Sequence, residues 1–159
     1  LGAAVAGPAV HGVWCTNGHP NPPAASHCRQ CRVAIGQTDP VTMPRPVLGA
    51  LEFSNGTRVS LDRSAIVGRS PRSERVSASE IPQLVVVPSP DADISRSHLE
   101  VKIEGWHILV VDLDSTNGTV ISVPGHEPQR LRPREETPIS PGTVVSLADE
   151  VSFTYVVEP

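Results

Sequence analysis

From position 48 onward the chain alternates apolar and polar residues in short runs, as in HLEVKIE (98–104), WHILVVDL (106–113) and VSFTYVV (151–157). A period of two sends successive side chains to opposite faces of an extended backbone, so each run predicts a strand with one face turned to a core. LGALEF (48–53), TRVSL (57–61), SAIVG (64–68), QLVVVP (83–88), GTVIS (118–122) and VVSL (144–147) continue the series. Gly, Pro, Asn and Ser fill the gaps, and the 17 prolines favour strands and turns over long helices. The fold class predicted is all-β, an antiparallel β-sandwich.

Upstream the pattern changes. LGAAVAGPAV is too short and lacks the positive flank of a complete signal peptide, so 1–12 is expected to be a disordered leader or the end of an upstream linker. Residues 13–33 carry all three cysteines and are expected to form a small metal-bound unit. The stretch 34–45 contains Pro40 and Pro44 and has no sustained periodicity, which predicts a linker. Thr38 and Thr42 lie in it and are read as plain linker residues. The sandwich is expected over 46–159.

The stretch 93–119, DISRSHLEVKIEGWHILVVDLDSTNGT, places Ser95, Arg96, His98, Thr116 and Asn117 on two turns at the ends of strand-like runs, with Gly68 and Arg69 ending an earlier run. Loops on a rigid sandwich gather ligand-binding side chains. Arg69 offers a bidentate, charge-assisted contact to phosphate oxygens, and Ser95, Thr116 and Asn117 offer short donors that fit close to a small anion. Local duties accompany these: hydroxyl capping of the turns by Ser95 and Thr116, and a left-handed turn position for Asn117 before Gly118. Trp106 is expected in the core beside the turn at 94–98.

IVGR (66–69), ISRSHL (94–99) and DLDSTNGT (112–119) together resemble the three signature blocks of forkhead-associated (FHA) domains, in the same order and at near-family spacing. The resemblance covers residue 46 to the C-terminus. It implies a β-sandwich that recognises phosphothreonine, with Arg69, Ser95 and Thr116 on the phosphate and Arg96 and Asn117 contacting phosphate or peptide backbone. It further implies a structural role for His98, buried to brace the serine turn, and backbone roles for Gly68 and Gly118. The implied partner is a phosphothreonine-containing protein, the substrate of a Ser/Thr kinase, bound in preference to its phosphoserine counterpart through a pocket for the extra methyl. Two stretches, 70–81 and 124–138, depart from a compact FHA pattern, and the second replaces the Asn-Gly turn of many members. They are expected to be specificity loops or tolerated insertions.

Near the N-terminus, Trp14, Cys15, His19, Cys28 and Cys31 form W-C-x3-H-x8-C-x2-C. Two closely spaced pairs of soft or borderline ligands suit a closed tetrahedral Zn²⁺ site of Cys3His type, which would be structural. GHPNPPAASHCRQC is similar to small zinc ribbons whose two knuckles bracket an Asn-Pro segment, although their usual first pair is two cysteines. His11 and His27 are nearby alternatives for the fourth ligand, His27 the weaker because it directly precedes Cys28. One disulfide plus a free thiol, or a redox CxxC, would be the competing use of three cysteines, but no thioredoxin-like βαβ pattern accompanies them.

Composition adds bounds. Hydrophobic residues make up 38%, or about 46% with glycine, enough for a core of normal size. The net charge of -4 argues against broad attraction to nucleic acid. Locally, Arg58, Arg63, Arg69, Arg72 and Arg75 face only Asp62 and Glu74 over that span, a cluster suited to steering an acidic, phosphorylated peptide. No run approaches the roughly 20 apolar residues needed to cross a bilayer. Metal-patterned thiols favour a reducing compartment, hence the cytoplasm. Two rival functions remain. A hydrolase triad of Ser95, His98 and Asp112 is disfavoured, because Ser95 and His98 are too close on one turn to serve as nucleophile and base, and no nucleophile elbow is present. A phosphorylation-independent scaffold is the stronger rival.

Overall fold

The computed structural model describes residues 8–72 and 81–157. All its regular elements are strands. Chain order is β1 (Ala9–Trp14), β2 (Pro20–Asn21), β3 (Val41–Pro44), β4 (Ala50–Phe53), β5 (Arg58–Ser60), β6 (Ala65–Gly68), β7 (Gln83–Val86), β8 (Leu99–Glu104), β9 (His107–Asp112), β10 (Thr119–Ser122), β11 (Gln129–Arg130), β12 (Thr137–Ile139), β13 (Val144–Leu147) and β14 (Val151–Val156).

The larger part is a two-sheet sandwich. One sheet has the order β11-β10-β13-β14-β4-β5, the other β12-β9-β8-β6-β7. Period-two patterning does here what it dictates: β8 buries Leu99, Val101 and Ile103, β14 buries Val151, Phe153 and Tyr155, and these meet Leu51, Leu61, Val67, Val110, Val145 and Leu147 in one core. Phe53 and Phe153 are cross-strand partners with centroids 5.2 Å apart and planes tilted by 52°. A tilted pair of this kind contributes about 0.5–1.5 kcal/mol beyond its buried area, and it locks the register of β14 on β4. Among the strand pairs of the described residues β6–β7 alone is parallel, a departure from the antiparallel pairing expected throughout the sandwich.

The structure departs from the sequence-based expectation in the segments before the sandwich, in 124–138 and at Trp106. Residues 1–7 of the expected leader lie outside the described residues, but Ala9–Gly12 of that leader pair with β3, whose residues were expected in a linker, through Val10↔Met43 and Gly12↔Val41. The resulting sheet, β2-β1-β3, wraps the cysteine segment. Its strands are too short and too rich in proline to show a period. What holds them is packing: Met43 is buried, and a Cβ at Gly12 would lie 2.6 Å from the Asn21 carbonyl oxygen and 2.9 Å from Met43 Sδ.

Residues 124–138, expected to be a loop, hold β11 and the start of β12, anchored by buried Leu131 and by the bond from Leu131 N–H to the Thr119 carbonyl at 2.9 Å. Of the other expected insertion, 70–81, residues 73–80 lie outside the described residues, as does Arg75 of the arginine cluster.

Trp106 is not beside the 94–98 turn. Register pairs Leu99 with Asp112 and Glu104 with His107, so the β8–β9 turn that carries Trp106 is at the far end of the hairpin from His98. At roughly 3.3 Å per residue this separates the two ends by about 17–20 Å. Trp106 is half-buried and packs against the sandwich core, as expected, but it donates its indole N–H to the His11 carbonyl at 2.9 Å and has the Arg29 guanidinium 5.5 Å from its ring centre. The sequence reading missed this because an aromatic beside a turn looks the same whether it fills a core or seats a neighbouring unit. The N-terminal sheet is therefore docked on the pole of the sandwich opposite the 94–98 turn.

Candidate functional site

Three loops meet at the pole away from Trp106: the one after β6, the one between β7 and β8, and the one between β9 and β10. Gly68 makes the approach possible. A Cβ there would lie 1.9 Å from the Arg96 carbonyl oxygen, so only glycine lets β6 pass beneath the 94–98 turn. The two segments then bond directly, Arg69 N–H to the Ser95 carbonyl at 3.2 Å and Ser70 N–H to the Arg96 carbonyl at 3.1 Å.

His98 ties this pair to the third loop. It is fully buried, its Nδ1 accepts the Ser95 N–H at 3.0 Å, and its Nε2 lies 2.9 Å from the Gly118 carbonyl. With Nδ1 accepting, the proton belongs on Nε2, which donates to Gly118. Burial pushes the His98 pKa below the ordinary imidazole value, against the upward pull of the Gly118 carbonyl and Asp112. A neutral imidazole is what this two-sided bridge requires.

The DLDSTNGT turn is held by the buried Asp112 carboxylate. It accepts the Ser115 hydroxyl and the Thr119 hydroxyl, each at 2.6 Å, and the Ser115 N–H at 3.0 Å, while Ser115 Oγ accepts the Gly118 N–H at 3.0 Å. Gly118 has φ +86°, which a side chain would strain. Asp112, Ser115 and Thr119 were not singled out for this role in the sequence. The signal was present as an aspartate three residues before a serine, the spacing of a side-chain-capped turn.

On this frame the candidate side chains converge. Arg69 Nε donates to the Ile94 carbonyl at 2.8 Å, which fixes the guanidinium by one edge. Ser95 Oγ accepts the Thr116 N–H at 3.1 Å, and Asn117 Nδ2 donates to the Asp93 carbonyl at 2.8 Å. Arg69 and Ser95 are half-buried, Thr116 and Asn117 exposed. Arg96 stands apart: its carbonyl serves the frame while its side chain is exposed on the rim.

At the opposite pole the donor atoms of Cys15, His19, Cys28 and Cys31 all lie within 4.8 Å of one another, a cluster that could hold a metal ion. The edges are 3.4 Å for Cys15 Sγ to His19 Nδ1, 3.6 Å for Cys28 Sγ to His19 Nδ1, and 3.8 Å for Cys15 Sγ to Cys31 Sγ. His11 and His27, the alternatives for a fourth ligand, are not in the cluster. Backbone N–H groups converge on the sulfurs, those of Asn17 and His19 on Cys15 and those of Gln30 and Cys31 on Cys28, at 3.3–3.4 Å. Burial works to raise the Cys28 thiol, but these donors outweigh it and bring its pKa to about 5. Asn21, fully buried, joins the two knuckles by donating to the His19 carbonyl at 3.0 Å and accepting the Arg29 N–H at 2.7 Å.

The FHA domain family model matches residues 65–148. No curated protein matches the chain. Among solved structures, the FHA domain of human APLF, in complex with an XRCC1 bisphospho peptide, is 21% identical with a TM-score of 0.52, covering 68% of this chain and 97% of that one. The FHA domain of the CT664 protein from Chlamydia trachomatis is 24% identical with a TM-score of 0.51, covering 69% and 97%. EmbR from Mycobacterium tuberculosis, in complex with a low affinity phosphopeptide, is 21% identical with a TM-score of 0.52, covering 72% of this chain and 25% of that one. At these identities the likeness is one of fold.

Proposed function

Because the chain belongs to the FHA domain family, we propose that it is a noncatalytic module that reads phosphothreonine on partners of Ser/Thr kinase signalling. One observation carries the reading: the groups nearest the pocket are anchored on one side and free on the other. Arg69 uses Nε on the Ile94 carbonyl, and its two terminal nitrogens remain to fork onto phosphate oxygens. Ser95 Oγ accepts from Thr116 N–H, so its own proton is available to an anion. Thr116 adds a hydroxyl at the open side, Asn117 is steadied by the Asp93 carbonyl to meet peptide backbone, and Arg96 supplies charge at the rim. His98 cannot serve as a catalytic base here, since both its nitrogens are committed to the frame.

For the opposite pole we propose zinc, held by Cys15, His19, Cys28 and Cys31. Tetrahedral zinc with bonds of about 2.3 Å to sulfur and 2.0–2.1 Å to nitrogen has S···S edges of about 3.8 Å and S···N edges of about 3.6 Å. The edges of 3.8, 3.4 and 3.6 Å fit that tetrahedron, and four protein donors leave no position for substrate. The ion would be structural. We place the boundary between the two units after β3, near Pro44, because β1 and β3 complete the sheet around the metal knuckles. Thiols kept for a metal suit the reducing cytoplasm.

The function is tested by titrating matched phosphorylated and unphosphorylated threonine peptides. Binding confined to the phosphorylated form supports the reading. Equal binding of both forms would replace it with a phosphorylation-independent scaffold.

A further inference from the structure

We propose that Arg130, on the strand formed by the 124–138 insertion, makes an acidic subsite beside the phosphothreonine pocket, selecting ligands with an aspartate, glutamate or second phosphorylated residue near the phosphothreonine. The proposal rests on the phosphothreonine reading given above.

The placement is dictated by register. Arg130 pairs with Val120, and in an antiparallel pair its side chain shares a face with Val120 and with Gly118 two residues earlier. The guanidinium reaches diagonally onto that glycine: a Cβ at Gly118 would lie 2.6 Å from Cζ and Nη2 and 2.9 Å from Nε. Gly118 is the third residue of the Thr116-Asn117-Gly118 turn, so the cation rests against the turn that lines the pocket. β11 cannot drift from this position, because the next residue, Leu131, is buried in the core.

Charge points the same way. Among the described residues the exposed Arg130 side chain makes no ion pair or hydrogen bond, although Glu127, Glu135 and Glu136 lie within six residues of it. Asp114, the acid within the same turn, is engaged by Arg134 at 2.9 Å and does not neutralise it. The 124–138 insertion thus carries Arg130 and also the arginine that engages the carboxylate of the turn. An uncommitted guanidinium packed over glycine at the mouth of an anion pocket fits a carboxylate or phosphate of the ligand.

The test uses phosphothreonine peptides of alanine-serine background, with aspartate or asparagine placed at each flanking position in turn. Each is titrated by NMR, which reads weak as well as tight binding, into wild type, Arg130→Gln and Arg69→Ala. At one or two flanking positions wild type should prefer aspartate over asparagine by about threefold to fivefold, as for an exposed ion pair, and Arg130→Gln should lose that preference while binding the asparagine peptides as wild type does. An aspartate preference that survives in Arg130→Gln, or none at any position while phosphate-dependent binding is intact, overturns the subsite alone. Equal weakening of both peptide series in Arg130→Gln also overturns it, since Arg130 would then hold the phosphate itself. No phosphate-dependent binding by wild type overturns the phosphothreonine reading and the subsite with it.

Discussion

The two poles of the molecule use polar side chains in opposite ways. At the metal pole four donors point inward at one another, and N–H groups surround them, so the cluster is closed around whatever it holds. At the loop pole the inward-facing polar groups, His98 and Asp112, are consumed by the frame, and the outward-facing ones, Arg69, Ser95 and Thr116, keep bonding capacity for solvent or a ligand. A closed cluster suits a permanent ligand, and an open one suits an exchangeable ligand. The β8–β9 hairpin that runs from one pole toward the other is itself about 17–20 Å long.

The contrast is broken most severely at the metal pole. Structural zinc contributes roughly 10–16 kcal/mol of apparent folding free energy in small zinc peptides, far more than the short strands β1 to β3 can supply by packing. Elemental analysis should find one zinc per chain. Cys28→Ser, or chelation, should release 8–44 and remove Arg29 from Trp106, which a change in tryptophan emission would report. Phosphopeptide affinity should stay within twofold or so of wild type, because the docking contacts are at the far pole. A collapse of affinity would mean that the poles are coupled.

Next in size is the frame of the loop pole. His98→Ala leaves the Ser95 N–H and the Gly118 carbonyl without their partner, at about 1–3 kcal/mol each, so denaturant melts should shift strongly toward instability. A native melt with lost binding would move His98 from frame to ligand contact. The pH dependence follows from the same burial. Below an unfolded value of about 6.5 the unfolded chain takes a proton that the native imidazole, with its depressed pKa, refuses. Stability is full above that value and falls as pH drops through the window toward the folded pKa. Denaturation at pH 5 and pH 7 should show this slope, shallower in a His98→Asn protein.

The smallest expected effect is discrimination between phosphothreonine and phosphoserine. Their charges are alike, so the methyl group decides. One buried methyl is worth about 0.8 kcal/mol, or about fourfold in affinity. Matched peptides differing in that methyl should show this preference, and equal affinities would remove a methyl pocket from the account while leaving phosphate binding intact.

The sandwich was legible because its strands obey a period of two and its turns carry diagnostic side chains. LEVKIE and VSFTYVV form β8 and β14 with the expected faces inward. That Cys15, His19, Cys28 and Cys31 would come together in a cluster that could hold a metal was legible from spacing alone. What escaped was pairing between distant short segments. Nothing within VTMP marks Val41–Pro44 as a strand until Val10 and Gly12 come alongside. Arg130 escaped for the same reason: its meaning depends on standing opposite Val120, which no local pattern encodes. Trp106 was misplaced because a single aromatic carries no sign of which partner covers it.

In the proposed reading the loop pole binds phosphate through Arg69. Calorimetric titration of a phosphothreonine peptide into wild type and Arg69→Ala tests it most directly. Loss of the charge-assisted bonds, roughly 1.5–3 kcal/mol, should weaken binding by an order of magnitude or more while the melting profile stays that of wild type. Unchanged affinity in a folded Arg69→Ala protein would contradict the account.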